Sequence, residues 1–385
     1  MSTRRAALGM LGGLGGLGLA PWLCSAATRP AASPPSALLV AAWEGAGGFA
    51  VGVLSPQAQG ALDTLGIVQS IAVPTRAHGV LALPDDSLLA VARRPGDWLL
   101  RWSPQGGKPV QWQWADPGRA FNGHVIASPD GQRLYTTETD LETGAGLVGV
   151  RDARSLVKLE EWPTFGIDSH ELIWDKADPA HPALLVANGG VPTRPETGRA
   201  KLDLDQMDSS LVKLDAGTGA LRGQWRLADK RLSLRHLAWQ DASDAKHPPL
   251  LGIALQAEHE AAAQKSQAPV LALFDGSTLK PFEAATSLAG YGGAICALKD
   301  GWAVGCPRVH GLALFNTDGS WRELVALPNA CAVAAGDKGC WAGGQNDALW
   351  INGSSGAARL PHKMMPGDVR LDNHWACLPP SPRRA

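Results

Sequence analysis

The 385-residue chain has no basic cluster: 35 Lys and Arg stand against 36 Asp and Glu, and beyond the first few residues the positive charges are dispersed. A binder of nucleic acid or of anionic membrane needs a concentrated basic surface, so a protein or small-ligand partner is expected instead. Long apolar runs are missing too, and the one N-terminal apolar stretch is too short and glycine-diluted for a permanent transmembrane anchor. Helical periodicity is nearly absent outside that stretch. No Gly-rich phosphate loop, HExxH zincin helix, GxSxG elbow or CxxCH haem site occurs, which counts against most familiar enzyme classes.

What is present begins with "MSTRRAALGMLGGLGGLGLAPWLCSAA". Twin Arg4 and Arg5, an apolar stretch and small residues at Ser25, Ala26 and Ala27 resemble a twin-arginine export signal, expected over 1–27 and cleaved to release a soluble periplasmic protein. Cys24 follows "PWL", a poor lipoprotein box, so no membrane anchor is expected after cleavage. Residues 28–36, rich in Pro, Ala and Ser, read as a linker, and 380–385 as a disordered tail. The mature chain keeps Cys296, Cys306, Cys331, Cys340 and Cys377, an odd number for an oxidising compartment. Cys296 and Cys306 flank the turn "LKDG" on consecutive expected strands and form the first candidate disulfide.

Short runs of Val, Leu, Ile, Ala and Trp alternate with "DG", "GG" and "GTG" turns, so the chain reads as all-β. The repeat shows in the histidines: His78 to His124 and His124 to His170 are both steps of 46 residues. Four short strands per period of this length is the pattern of a β-propeller. The next step, to His236, is 66 residues, and the excess is "GGVPTRPETGRAKLDLDQMDS", expected as a loop between the second and third strands of its blade. Further units begin near Gly293 and Cys331. The closing "DNHWACLP" supplies one strand at His374, and "ALLVAAWEG", "GFAVGVL" and "GIVQSIAV" supply the rest from the other end. The expectation is a seven-bladed propeller over 37–379, closed by N- and C-terminal strands in one blade.

The turns fix a register. His124, His170, His236 and His374 lie five residues before Pro129, Asp175, Asp241 and Pro379; His78 lies six before Pro84; Cys331 lies five before Gly336. The fifth unit has Tyr291, Gly292 and Gly293 there, with no ligand type. Residues opening the innermost strands converge on one mouth of the channel, and imidazoles with a thiolate suit copper, iron or zinc. His78, His124, His170, His236, His374 and Cys331 are therefore the candidate metal ligands. The alternative is that each histidine hydrogen-bonds within its own blade. Arg76 and Arg235 stand beside ring histidines and are candidate anion binders, unless they pair with Glu138, Asp140 or Glu171. Glu171 should turn away from His170 by strand alternation. Asn188, Arg194 and Arg199 mark the long polar loop as a candidate lid or partner surface.

"GHVIASPDGQRLYTTETDLETGAGLVGVRD", "SHELIW", "LLVANGGVPTRPETGRAKLDLDQMDSSLVKLD", "LSLRHLAW" and "RLDNHWACL" together resemble the bacterial domain-of-unknown-function 1513 family, over residues 37 to 379, with "ANGG" to "KLDLD" the most specific part. The resemblance implies an exported protein whose genes accompany imelysin-type proteins and di-haem oxidoreductases, hence iron-uptake or redox protein partners in the periplasm. The chain departs from the family in "QAEHEAAAQKSQ", where Glu258, His259 and Glu260 replace an apolar or Trp-bearing segment. A more distant likeness, to nitrous oxide reductase, is one of architecture only. The leading expectation is a transition metal ion, iron or copper, at the channel mouth. A lactonase-like metal-dependent hydrolase and a metal-free interaction scaffold are the competing readings.

Overall fold

Period-2 burial builds this molecule. In the computed structural model the described residues are 38–59, 62–192, 203–240, 249–336, 339–352, 359–365 and 367–378. They all belong to the second of two compact units, which starts at Pro34. The first unit, Met1–Ser33, lies outside the described residues, as do the rest of the linker, the tail and Arg194 and Arg199 of the long loop. Among the described residues there are 28 strands and a single short α-helix, Ala262–Gln267.

Five antiparallel four-stranded sheets, each a meander in chain order, cover residues 77–114, 119–167, 169–225, 232–282 and 295–326. The turns within them come from the sequence's Asp-containing signals. Asp152 Oδ1 accepts the backbone N–H groups of Arg154 and Ser155, and Asp215 and Asp275 repeat the device with Gly217 and Thr218, and with Ser277 and Thr278. The remaining strands form one eight-stranded sheet. In it the four strands over 332–365 join the last strand, Arg370–Cys377, and the first three, Leu39–Gly45, Gly48–Gln59 and Leu62–Val73. The join is a parallel pairing of Arg359–Met365 with Leu62–Val73, and Arg370–Cys377 pairs antiparallel with Leu39–Gly45. Both chain ends thus share one set of strands, as the repeat pattern predicts.

The first strand of each set packs against the first strand of the next. The series runs Ala77–Ala82, Arg119–Ala127, Ser169–Trp174, Leu232–Gln240, Ile295–Leu298, Ala332–Gly336 and Arg370–Cys377, and the last packs on the first. This closed ring of inner strands gives a β-propeller-like fold. Core clusters fill the wedges between neighbouring sheets: Leu185, Leu211, Leu234, Trp239 and Leu255 in one, and Cys296, Ala303, Leu312 and Cys340 in another. The long loop leaves Ala183–Asn188 and returns at Ser210–Asp215, the second and third strands of their sheet, as expected.

One expectation fails. Cys296 and Cys306 are not bonded to each other; both carry free thiols. Cys296 lies opposite Ala303 while Cys306 lies opposite Gly311, so alternation sends the two thiols to opposite faces of the sheet. Cys296 instead shares a core wedge with Cys340 of the next set of strands.

Candidate functional site

Five of the seven inner strands break register, and the breaks contain the histidines. Pairing with the neighbouring strand is interrupted between Ala77 and Val80, Phe121 and Val125, Ser169 and Glu171, and Leu234 and Leu237, and it skips from Leu371 to Trp375. His78, His124, His170, His236 and His374 all sit inside these irregularities. A β-bulge re-aims a side chain that regular alternation would leave on a sheet face. Ile295–Leu298 and Ala332–Gly336, the two inner strands without a histidine, pair without a break.

The five imidazoles meet. Ring centroids are 4.2 Å apart for His78 and His374, 4.5 Å for His236 and His374, 4.6 Å for His170 and His236, and 4.9 Å for His78 and His124. One ring nitrogen from each of His78, His124, His236 and His374 falls within 4.8 Å of the others. Gly123 permits this approach: its φ is +105°, and a Cβ there would lie 2.6 Å from His78 Cδ2.

The hydrogen bonds sort the rings into roles. Glu171 Oε2 accepts the Leu237 N–H at 2.8 Å and faces His236 Nδ1 at 3.1 Å, while Oε1 lies 3.6 Å from His124 Nδ1. An ionised carboxylate accepts, so Nδ1 of His236 carries the proton and Nε2 keeps its lone pair. His236 Nε2 lies 3.1 Å from His170 Nε2, which must then donate. His170 Nδ1 in turn faces the Arg235 Nη1 donor at 3.4 Å. His170 is thus engaged on both nitrogens. His78 Nδ1 and Nε2 and His124 Nε2 are buried and make no hydrogen bond among the described residues.

Burial holds all five imidazoles neutral. His124 is pushed down to about 4 and His236 to about 3, and His78, His170 and His374 fall well below the ordinary value; desolvation is the largest cause in each, reinforced by neighbouring imidazoles or arginines. Burial raises Glu171, against the pull of His124.

Cys331 opens its inner strand, as expected, but its thiol packs over Gly293, where a Cβ would lie 2.4 Å from Sγ. Burial pushes it up to about 12, so it is a protonated thiol, and it is not among the four clustered donors. Arg76 makes a two-pronged ion pair with Asp372 and is half exposed. Glu138 is buried between Arg151 and Lys158, each at 2.7 Å. Glu171 is the converse case: alternation would turn it from the cluster, and the register break at His170 brings it in.

Sequence reading missed Asp168, Arg93 and Arg94. Fully buried Asp168 is shared by Arg94 and Arg235, the latter at 2.9 Å. The "ANGG" segment is the cradle of this pair. Asn188 Nδ2 donates to Thr164 O and Ser210 Oγ. A Cβ on Gly189 would lie 2.5 Å from Asp168 Oδ2 and 2.9 Å from Arg235 Nη1, and Gly190 has φ +70°. The adjacent motifs "IDSH" and "ARRP" are the only signal the sequence carried. Arg94 and Arg235 also line a small cavity of about 30 Å³, together with His78, His170, His374 and Arg93.

A family model described as "Protein of unknown function (DUF1513)" matches residues 71–378. No curated protein matches the sequence. A streptogramin B lyase structure superposes with a TM-score of 0.53 at 12% identity, over 78% of this chain and 94% of that one, and shows the fold alone. Apo AztD from Citrobacter koseri gives a TM-score of 0.48 at 8% identity over 90% and 88% of the chains, and the nidogen/laminin complex 0.45 at 11% over 75% and 93%.

Proposed function

Since the chain belongs to the DUF1513 family of proteins of unknown function, we propose that it is an exported seven-bladed propeller holding a transition metal at the mouth of its channel. The blade count follows from taking the eight-stranded sheet as two four-stranded blades joined at their outer strands, which matches the seven inner strands of the ring. The single observation that carries the metal reading is the clustering of four imidazoles, three of them buried, that bring one nitrogen each within 4.8 Å of the others, with both nitrogens of His78 and Nε2 of His124 left without a hydrogen bond among the described residues. An orphaned buried polar atom costs roughly 1–3 kcal/mol, a cost that coordination would remove at one nitrogen of His78 and at His124 Nε2.

His78, His124, His236 and His374 would hold the ion, His236 through the Nε2 lone pair that in the metal-free protein accepts from His170. Glu171, on the outer nitrogens of His124 and His236, orients those rings in the manner of a carboxylate behind a metal-bound histidine. Imidazole donors suit iron, copper or zinc, and an ion held this way would supply redox or carrier capacity. Iron or copper handling with periplasmic iron-uptake or redox partners is the reading we favour. A lactonase-like hydrolase needs a carboxylate-rich channel, and the four clustered donors include none. Among the described residues no helix is long and apolar enough to cross a membrane.

The test is elemental analysis for Cu, Fe and Zn on protein collected after native export. Near-stoichiometric metal is expected in the wild type. It should be lost in the double variant His78→Ala with His374→Ala, whose thermal midpoint should fall little because His78 has no hydrogen bond to lose. Metal-free wild type, or unchanged metal in the variant, would overturn the reading. In the same cells Arg4→Lys with Arg5→Lys should leave precursor in the cytoplasm; normal export of that variant would reject the twin-arginine route.

A further inference from the structure

We propose that His170 is not a fifth ligand but a hydrogen-bond donor to a small oxygen- or nitrogen-donor molecule that binds the ion from the cavity side. The inference rests on the metal-site reading and deepens it, since it names the class of molecule the ion would meet.

His170 has its tautomer fixed from both sides. A neutral imidazole has one protonated nitrogen and one lone pair. Arg235 Nη1, a donor only, faces His170 Nδ1 at 3.4 Å, and Asp168 Oδ2 holds the same guanidinium nitrogen at 2.9 Å. The lone pair of His170 is therefore used at Nδ1, and Nε2 carries the proton. The far end of the chain of contacts agrees. Glu171 keeps the His236 proton on Nδ1, so His236 Nε2, 3.1 Å from His170 Nε2, can only accept. A protonated nitrogen has no lone pair for a metal, which is why five imidazoles converge and four would hold the ion.

Coordination releases that donor. When His236 Nε2 turns its lone pair to the ion, the His170 N–H loses its acceptor. His170 is buried, and a buried donor left unpaired is unfavourable. A molecule on the ion is within its reach, because the N–H already lies beside a ligating nitrogen. Residues next to the ligands tune a metal site in this way.

There is space for such a guest. The cavity is lined by His170 and by His78, His236 and His374, but not by His124. It thus borders the donor and three of the four ligands at once. On a measure where one water needs about 10–15 Å³, its 30 Å³ holds about two or three heavy atoms, and it is partly open, so a guest can enter.

Metal-free protein is loaded with copper(II) and titrated with sodium azide, a three-atom nitrogen donor, at ionic strength held constant with sodium perchlorate. The expected result is one copper per chain and an azide-to-copper charge-transfer absorption that saturates at one azide per chain. His170→Ala should keep its copper but bind azide roughly tenfold more weakly. His170→Gln, whose amide keeps a donor, should recover most of that loss, and exposed His181→Ala should match the wild type. Long-range proton–nitrogen NMR of the metal-free wild type should show His170 protonated on Nε2 alone. A proton on Nδ1, loss of copper from folded His170→Ala, or equal azide affinity without His170 would overturn the proposal. Should His170→Ala fail to fold, the tautomer and the wild-type titration still decide it. Protein that takes up no copper would overturn the metal reading and this one with it; copper uptake without azide binding would overturn this one alone.

Discussion

At the residue scale, Glu171 and the histidines it touches set the pH behaviour of the metal-free protein. His124 and His236 titrate near 4 and 3 in the folded chain against an ordinary value of 6.5. Between those values the unfolded chain binds more protons than the folded one, so stability is complete above about pH 6.5 and is lost as pH falls toward 4. Glu171, raised by burial, works in the opposite direction, losing stability as pH climbs above the ordinary glutamate range. The three more strongly shifted histidines add to the first trend, which should dominate. Denaturant midpoints measured from pH 7.5 to 4 should fall steadily, and His124→Gln with His236→Gln should flatten the slope. A wild-type midpoint independent of pH across this window would mean that the imidazoles are not buried neutral.

At the element scale, the register break is what turns a strand into a ligand-bearing segment. Arg119–Ala127 pairs regularly at both ends and loses register only across Asn122, Gly123 and His124. Gly123 is the hinge of that break, with positive φ and His78 packed where a side chain would begin. Gly123→Ala should cost about 1–3 kcal/mol from backbone strain and displace His78. The measured outcome should be a lower thermal midpoint together with weaker metal retention than the wild type. A variant with lowered midpoint and undisturbed metal content would show that His78 is placed by something other than this contact. Gly189 of "ANGG" acts likewise, letting backbone approach the Asp168–Arg235 pair where any Cβ would intrude.

At the scale of the whole molecule, closure depends on residues far apart in sequence. Arg370–Cys377 supplies an inner strand, carries His374, and covers Leu39–Gly45, which would otherwise present an open edge. Trp375 is buried over Gly343 of the preceding set of strands, so the same segment also locks that neighbour. A chain ended after Gly367 should lose cooperative thermal unfolding and aggregate, since both the ring and a core wedge are left open. Light scattering and calorimetry would check this, and a cooperative transition at the wild-type midpoint would contradict the role given to the closing strand.

The histidines by themselves determined a good deal: their spacing of 46 residues and their distance from each turn reflect a repeating unit of four short strands, and such a unit can bury its faces only against copies of itself. The terminal strands and the long loop after Asn188 followed from the same count. Alternation, the rule that served for the strands, failed where the backbone leaves its regular period. It turned Glu171 away from the cluster that the bulge at His170 brings it into, whereas Cys296 and Cys306, on strands that keep their period, obey it and face opposite sides. Cys331 held its place in the register, yet its thiol lies over Gly293 because its strand has no bulge to re-aim it. Asp168 precedes the inner strand Ser169–Trp174, Arg93 and Arg94 follow the second strand of another sheet, Leu88–Ala92, and they meet Arg235 only around the closed ring. A period in sequence records what each unit shares, whereas charges and cavities arise where different units meet, and only tertiary structure decides that.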